Sequence, residues 1–229
     1  KTLLTAFTKK IQQKYKLTNC EYSTLHQWSI EFPELFWEEV WLDCEVRSSV
    51  PWSKVMSKTG FSEKIGTEPS GWFTGARLNF AENLLAQGKP ENEALCFIGE
   101  DASTRSLSYA ELRKAVEQCA SGMQALGVTA NDRVAAVLPN CPEAVIGMLA
   151  AASLGAIWSS CSPDFGINGI YDRLGQISPK ILITVNAYNY NGKEHQCLDK
   201  IREISQRIPS IEAVFVVAFT ETPLEMQGK

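Results

Sequence analysis

The chain has 229 residues, 45% hydrophobic and 21% charged, with a net charge of -4; this suffices for one large domain or two small ones and, with no clustered Lys and Arg, excludes a nucleic-acid-binding surface. Seven cysteines at least 20 residues apart, with no C-x-x-C pair, fit reduced cytosolic thiols rather than a disulfide framework, and His26 and His195 alone leave a zinc site short of ligands. No apolar run reaches the roughly 18 residues of a membrane span, and neither a signal peptide nor an N-x-[ST] sequon is evident, so the sequence predicts a cytosolic protein with small-molecule partners.

Residues 1–16 carry Leu3, Leu4, Phe7, Ile11 and Tyr15 near helical spacing, which predicts an amphipathic helix. A short helix is expected over 23–30, and Pro33 suits the first position of a third. In that third helix Phe36, Val40, Trp37, Trp41 and Cys44 recur at three- and four-residue steps, the mark of a packing face. Residues 50–68 read as loops and short turns. Between 71 and 85, glycine-containing turns flanked by Trp72 and Phe73 lead into a helical face of Leu78, Ala81, Leu84 and Leu85. A composition shift over 87–92 divides a helical region, 1–90, from a second domain, 91–229.

The second region alternates strands and helices. Strands over 94–98 and 104–107 form a predicted hairpin, and Ser108 and Glu111 make the S-x-x-E capping box of the next helix, which Gly127 stops. A valine-rich strand over 133–138, an apolar helix opened by Pro142 and stopped by Gly155, and a strand over 156–159 make a parallel βαβ crossover. A helix over 167–177, a strand over 181–185, a helix capped by Asn191 and Glu194 and a strand over 213–218 follow. The expected fold class is α/β: a helical N-terminal region, then a mostly parallel sheet with helices on both faces.

No P-loop, dinucleotide fingerprint, H-E-x-x-H, calcium loop or G-x-S-x-G elbow is present. Ligands of open α/β sheets collect at the carboxyl ends of the strands, which selects the loops 139–141, 159–166 and 186–193. In the second, Ser159, Ser160, Ser162 and Asp164 either frame a phosphate or carbonyl site, or Asp164 caps the following helix. In the third, Tyr188, Tyr190 and Lys193 offer stacking faces and a cation, or form a solvated turn.

The runs Leu107-Ser108-Tyr109-Ala110-Glu111-Leu112-Arg113, Asp132-Arg133-Val134 and Leu138-Pro139-Asn140 resemble the opening of AMP-forming acyl-CoA synthetases, members of the adenylate-forming superfamily. Three further segments resemble the acetoacetyl-CoA synthetase family within it: Trp72-Phe73 through Asn83-Leu84, Ile157-Trp158-Ser159-Ser160 through Phe165-Gly166, and Tyr190-Asn191-Gly192-Lys193-Glu194-His195. The resemblance covers essentially the whole chain. Acetyl- and propionyl-CoA synthetases compete, but they are expected to have Gly-Gly-Phe where this chain has Ser160-Cys161.

The resemblance implies a cytosolic ligase that uses ATP, Mg²⁺ and CoA to convert acetoacetate, through an acyl-adenylate, to acetoacetyl-CoA. It places Lys193 and Tyr190 near the nucleotide phosphate of CoA, in positions where the family has arginines, and it places Ser160 and Cys161 in the loop beside the pantetheine thiol. The family's ATP phosphate loop, ribose-binding Asp, adenine-side segment and C-terminal lysine are expected beyond Lys229, which, with a start at Lys1, predicts a fragment inactive alone. A non-catalytic CoA-binding or regulatory short form and an unrelated nucleotide-binding α/β domain are the alternatives.

Overall fold

A computed structural model of the chain describes residues 2–57 and 71–224. The chain divides into two compact units, Lys1–Leu78 and Asn79–Lys229.

In the first unit, Thr2 caps helix α1 (Leu3–Tyr15) by accepting from the backbone N–H of Thr5, which satisfies one of the donors that a first turn leaves free. Helix α2 (Tyr22–Glu31) follows, then α3 (Pro33–Asp43) with proline at its first position. These helices close on Phe7, Ile11, Leu25 and Trp28, with Phe36 and Val40 packed against them. Leu3 and Leu4, expected on the buried stripe, are exposed. Trp41 is buried with its ring 4.4 Å from Phe73 and 4.9 Å from Trp52, but Trp37 and Cys44, predicted on the same packing stripe of α3, are exposed. Strands β1 (Lys54–Met56) and β2 (Trp72–Thr74) pair antiparallel. β1 interrupts the loop expected over 50–68; three residues are too few to show a period of two. Positions 58–68 of that expected loop lie outside the described residues.

The second unit opens with α4 (Phe80–Ala86), capped by Asn79, whose side chain also donates to the carbonyl of Ala152 at 2.8 Å. The predicted domain boundary at 90/91 falls between α4 and the next strand, inside this unit. Strands β3 (Glu93–Ile98) and β4 (Thr104–Ser108) form the predicted hairpin, and the Ser108/Glu111 capping box opens α5 (Tyr109–Ala125). The chain then runs through β5 (Arg133–Val137), α6 (Pro142–Ser153), β6 (Ile157–Cys161), α7 (Ile167–Leu174) with a 3-10 turn at Gly175–Ile177, and β7 (Ile181–Val185). Strands β8 (Ala187–Tyr190) and β9 (Lys193–Gln196), helix α8 (Leu198–Arg207) and β10 (Ala213–Val217) complete it.

Strands β10, β7, β5 and β6 lie side by side in that order, all parallel. Side-chain alternation along the strands builds two cores. Val134, Ala136, Ile181 and Ile183 meet Leu112, Val116 and Met123 of α5 and Leu149 to Ala151 of α6 on one face. Ala135, Val137 and Leu182 meet Ile170 and Leu174 of α7 and Ile201 and Ile204 of α8 on the other. Helices on both faces leave β5 and β7 no solvent side, which is why 181–185 is apolar at every position but Thr184.

A further expectation fails at the third loop. Neither Asn191 nor Glu194 caps a helix: β8 and β9 form an antiparallel hairpin closed by Asn191 and Gly192 at φ 51° and 67°. Two successive positive φ values define the type I′ turn, whose twist matches that of the flanking strands, and Asn-Gly is its favoured pair. Helix α8 begins only at Leu198.

A buried carboxylate braces the first unit. Glu39 accepts from Lys14 Nζ and, at 3.0 Å, from Tyr15 Oη, with Lys10 Nζ at 3.5 Å. Burial alone would raise its pKa, but the bonds from Lys14 and Tyr15 outweigh burial and hold it below the ordinary 4.5. A carboxyl lowered in the folded state stabilises it above the unfolded value, and that contribution is lost as pH falls through the folded value. The melting temperature of the native chain should therefore exceed that of Glu39→Gln at pH 7, and the gap should close as pH is lowered below about 4.5. Thermal melts of both proteins across that range check this; a gap independent of pH contradicts it.

Candidate functional site

The helix that follows β5 packs on one face and those that follow β6 and β7 on the other, so the strand order reverses between the adjacent strands β5 and β7, and the crevice outside their carboxyl ends is the switch point where open α/β sheets bind ligands. Three segments converge at this end: 138–141 after β5, 162–166 after β6, and the hairpin that leaves β7.

The hairpin is anchored by Asn186, fully buried where β7 ends. Its side-chain nitrogen donates to the carbonyls of Thr220 at 3.0 Å and Thr222 at 2.7 Å, and its oxygen accepts from the backbone N–H groups of Phe219 at 2.8 Å and Thr220 at 3.2 Å. The backbone of Asn186 donates to Val217 and accepts from Cys197. One residue thus joins β7, the exit of β10 and the start of α8. Thr222 Oγ1 also donates to Glu194 Oε1 at 2.6 Å, tying the exit of β10 to the hairpin itself.

Along the hairpin, Tyr188 pairs with His195 and Tyr190 with Lys193, so these four side chains share one face. Tyr188 is buried and its ring stacks on His195 at 5.3 Å; Tyr190, half exposed, lies 6.3 Å from the same imidazole. Lys193 is exposed at the tip. An open groove of about 500 Å³ is lined by Asp164, Tyr188, Tyr190, Glu194, His195, Gln196 and Lys200.

Asp164 does not cap α7. The cap residue is Gly166 and no side chain bonds there. The Asp164 carboxylate instead accepts from Tyr188 Oη and Ser162 Oγ, both at 2.8 Å, and these bonds hold its pKa below the usual range. Burial and the Asp164 charge in turn push Tyr188 upward, so the phenol stays a donor at neutral pH.

Ser160 and Cys161 are not in a loop but are the last two residues of β6, beside Ala136 and Val137 of β5. Successive strand residues point to opposite faces. Cys161 packs with Ile170 and Leu174 under α7, while Ser160 is exposed on the other face, so the structure does not bring the pair together. Burial raises the Cys161 thiol, with Arg173 and Lys200 acting the other way; Cys141 and Cys197 are pushed up to about 11. Such thiols are protonated and poor nucleophiles near neutrality. Among the described residues no group of three or more His, Cys, Asp and Glu side chains could hold a metal ion, and no helix is long and apolar enough to cross a membrane.

Reading the sequence alone overlooks Asn186, the Asp164–Tyr188 bond and Lys200. The Asn-Gly pair between alternating tyrosines was the available sign of the hairpin; nothing local signals that Asn186 is buried.

Residues 84–228 match the AMP-binding enzyme family, and residues 22–84 match the acetyl-coenzyme A synthetase N-terminus. The chain belongs to the AMP-binding enzyme family. It is 42% identical over 221 residues to a malonamoyl-CoA synthetase of Penicillium aethiopicum, covering 94% of this chain and 30% of that protein. It is 39% identical to an acetoacetyl-CoA synthetase of Xenopus tropicalis over 95% of this chain and 32% of that one. The solved acetoacetyl-CoA synthetase of Streptomyces lividans superposes with a TM-score of 0.85 at 36% identity, over 98% of this chain and 34% of the other. The chain therefore spans about a third of the length of the relatives it matches.

The anchoring of the hairpin predicts the cost of losing it. Asn186→Ala leaves two backbone N–H groups and two carbonyls without their partner, and should destabilise the second unit by about 2–4 kcal/mol, as several buried polar groups lose their bonds at once. Urea unfolding followed by circular dichroism measures it; a change under about 0.5 kcal/mol, typical of surface substitutions, contradicts the anchoring role.

Proposed function

We propose that this chain is the N-terminal portion of an AMP-forming acid–thiol ligase, an acetoacetate–CoA ligase, with residues 1–90 its helical N-terminal region and 91–229 the first part of its AMP-binding domain. The observation that carries the reading is the agreement with acetoacetyl-CoA synthetases, in sequence and in backbone, over nearly the whole length of this chain. In the proposed reaction the acetoacetate carboxylate attacks the α-phosphorus of ATP and pyrophosphate leaves. The CoA thiol then attacks the acyl-adenylate carbonyl, and AMP leaves with the bonding electrons. Converting a carboxylate into an acyl phosphate anhydride supplies the leaving group that thioester formation needs.

Within this reading the hairpin face is the part of the chain that meets CoA. Its residue types fit a phosphorylated nucleoside: Tyr190 and His195 offer flat faces to a purine, and Lys193 offers a cation to a phosphate. A lysine is a point charge without the guanidinium fork, so the phosphate would be held by charge with little angular constraint. Residues for ATP and Mg²⁺ are assigned by the family resemblance to parts of the relatives that this stretch does not cover. Seven cysteines without a disulfide support a cytosolic location.

A second acyl substrate has a specific observation behind it. One relative is named for malonamoyl-CoA, whose acyl group has an amino group where acetoacetyl has a methyl. Both acids are short carboxylates with a carbonyl at the β position, and that is the substrate class proposed.

Isothermal titration of the chain with CoA and with dephospho-CoA tests the CoA-facing assignment. The expected result is a preference of about 3- to 10-fold for CoA, the range of a partly exposed charge pair, erased by Lys193→Ala. Equal affinities in the unsubstituted chain contradict it.

A further inference from the structure

The groove beside the hairpin contains a set of contacts that none of the roles above uses. Asp164 is held from two sides: its carboxylate accepts from Ser162 on its own loop and from Tyr188 on β8. Lys200, on α8, donates its ammonium to the carbonyl of Pro163 at 2.6 Å and to that of Phe165 at 3.2 Å, the residues immediately before and after Asp164. The loop is therefore pinned to α8 on both sides of the carboxylate that receives the tyrosine. From Tyr188 the contacts continue outward, since its ring stacks on His195 and His195 Nε2 lies 3.3 Å from the Tyr190 carbonyl.

A two-stranded hairpin of four residues per strand is marginally stable by itself. Asn186 fixes where this hairpin begins, and Thr222 holds the side of it that faces away from Tyr190 and Lys193. Among the described residues, the side-chain bond that ties its face bearing Tyr190 and Lys193 to the loop after β6 is the one from Tyr188 to Asp164, while Thr222 ties the other face through Glu194 and Gln196. A hydrogen bond to an ionised acceptor is short, directional and stronger than a neutral one.

From this geometry we infer that Asp164, Tyr188 and Lys200 are positioning residues: they lock the loop after β6 to the hairpin and thereby aim Tyr190 and Lys193 at the nucleotide end of CoA. The inference rests on the CoA reading above. It implies that affinity for the phosphorylated nucleotide depends on a bond between two residues that need not touch it.

The test compares CoA with dephospho-CoA binding by isothermal titration in the chain and in Tyr188→Phe, Asp164→Ala, Asp164→Asn and Lys193→Ala, with a melting curve for each. Tyr188→Phe keeps the buried ring and removes only the hydroxyl, so the fold persists. The expected results are a CoA dissociation constant raised about tenfold in Tyr188→Phe and Asp164→Ala, the scale of one lost charge-assisted bond, with the preference over dephospho-CoA collapsing in both. A double variant carrying Tyr188→Phe and Asp164→Ala should be no worse than Asp164→Ala alone, because both changes break the bond between Tyr188 and Asp164. Asp164→Asn, which retains an acceptor oxygen, should recover most of the preference. A lowered melting temperature with an unchanged preference would mean that the bond only stabilises the fold, and would overturn the inference. If Lys193→Ala erases the preference while Tyr188→Phe leaves it intact, the CoA reading stands and the positioning role is wrong. If Lys193→Ala changes nothing, the CoA reading itself fails and this inference with it.

Discussion

Where β7 ends, the chain has to leave a fully buried strand and turn back without stranding its peptide groups, and the side chain of Asn186 supplies what that turn needs. Its amide is both donor and acceptor, so a single residue can satisfy carbonyls and N–H groups of the segment after β10. A buried amide is costly unless bonded, which means that this arrangement is tolerated in one geometry only. That geometry brings the exit of β10, the start of α8 and the hairpin to one end of the sheet. The rest of the candidate site is built on it: the paired tyrosines, the histidine between them, and the lysine at the tip.

Much of the family resemblance is carried by residues that hold the fold rather than the ligand. Asp132 accepts from the backbone and hydroxyl of Thr129. Arg133 donates to the carbonyls of Ile177 and Ser178, closing the turn before β7. Arg113 donates to Leu85, Gln87 and Gly88, fixing the end of α4 against α5. Asn79 caps α4 and reaches α6. All four occur in, or beside, the segments by which the chain resembles acyl-CoA synthetases. Such residues identify a family because the fold depends on them, yet they say little about which acid is activated. The residues that the proposal assigns to the ligand sit elsewhere, in the hairpin, with the loop after β6 and Lys200 argued to position them.

The sheet and its helices were legible in the sequence because their signals are local and redundant. The strands at 133–137 and 181–185 are short apolar runs bounded by turns, α5 carries its capping box, and α8 shows Ile201, Ile204 and Ile208 at helical spacing. The hairpin was misjudged because its strands are four residues long and polar, and Asn191 and Glu194 imitate a helix cap when the positive φ values that Asn-Gly permits are not weighed. Ser160 and Cys161 were assigned to a loop because β6 continues two residues past its apolar part, and only pairing with β5 reveals that. The exposure of Leu3 and Leu4 shows the limit of periodicity in another way: spacing tells which side chains share a face, not which of them find a partner. The Asp164–Tyr188 bond joins positions 24 residues apart, and no spacing rule reaches that far.

The central claim, that the carboxyl end of this sheet and the hairpin beside it form the CoA-facing edge of the protein, is tested most directly by amide hydrogen–deuterium exchange of the chain with and without saturating CoA. Protection confined to 187–196 and 161–166, with the helices on the two faces unchanged, is the predicted result. Protection elsewhere with those two segments unaffected would contradict it.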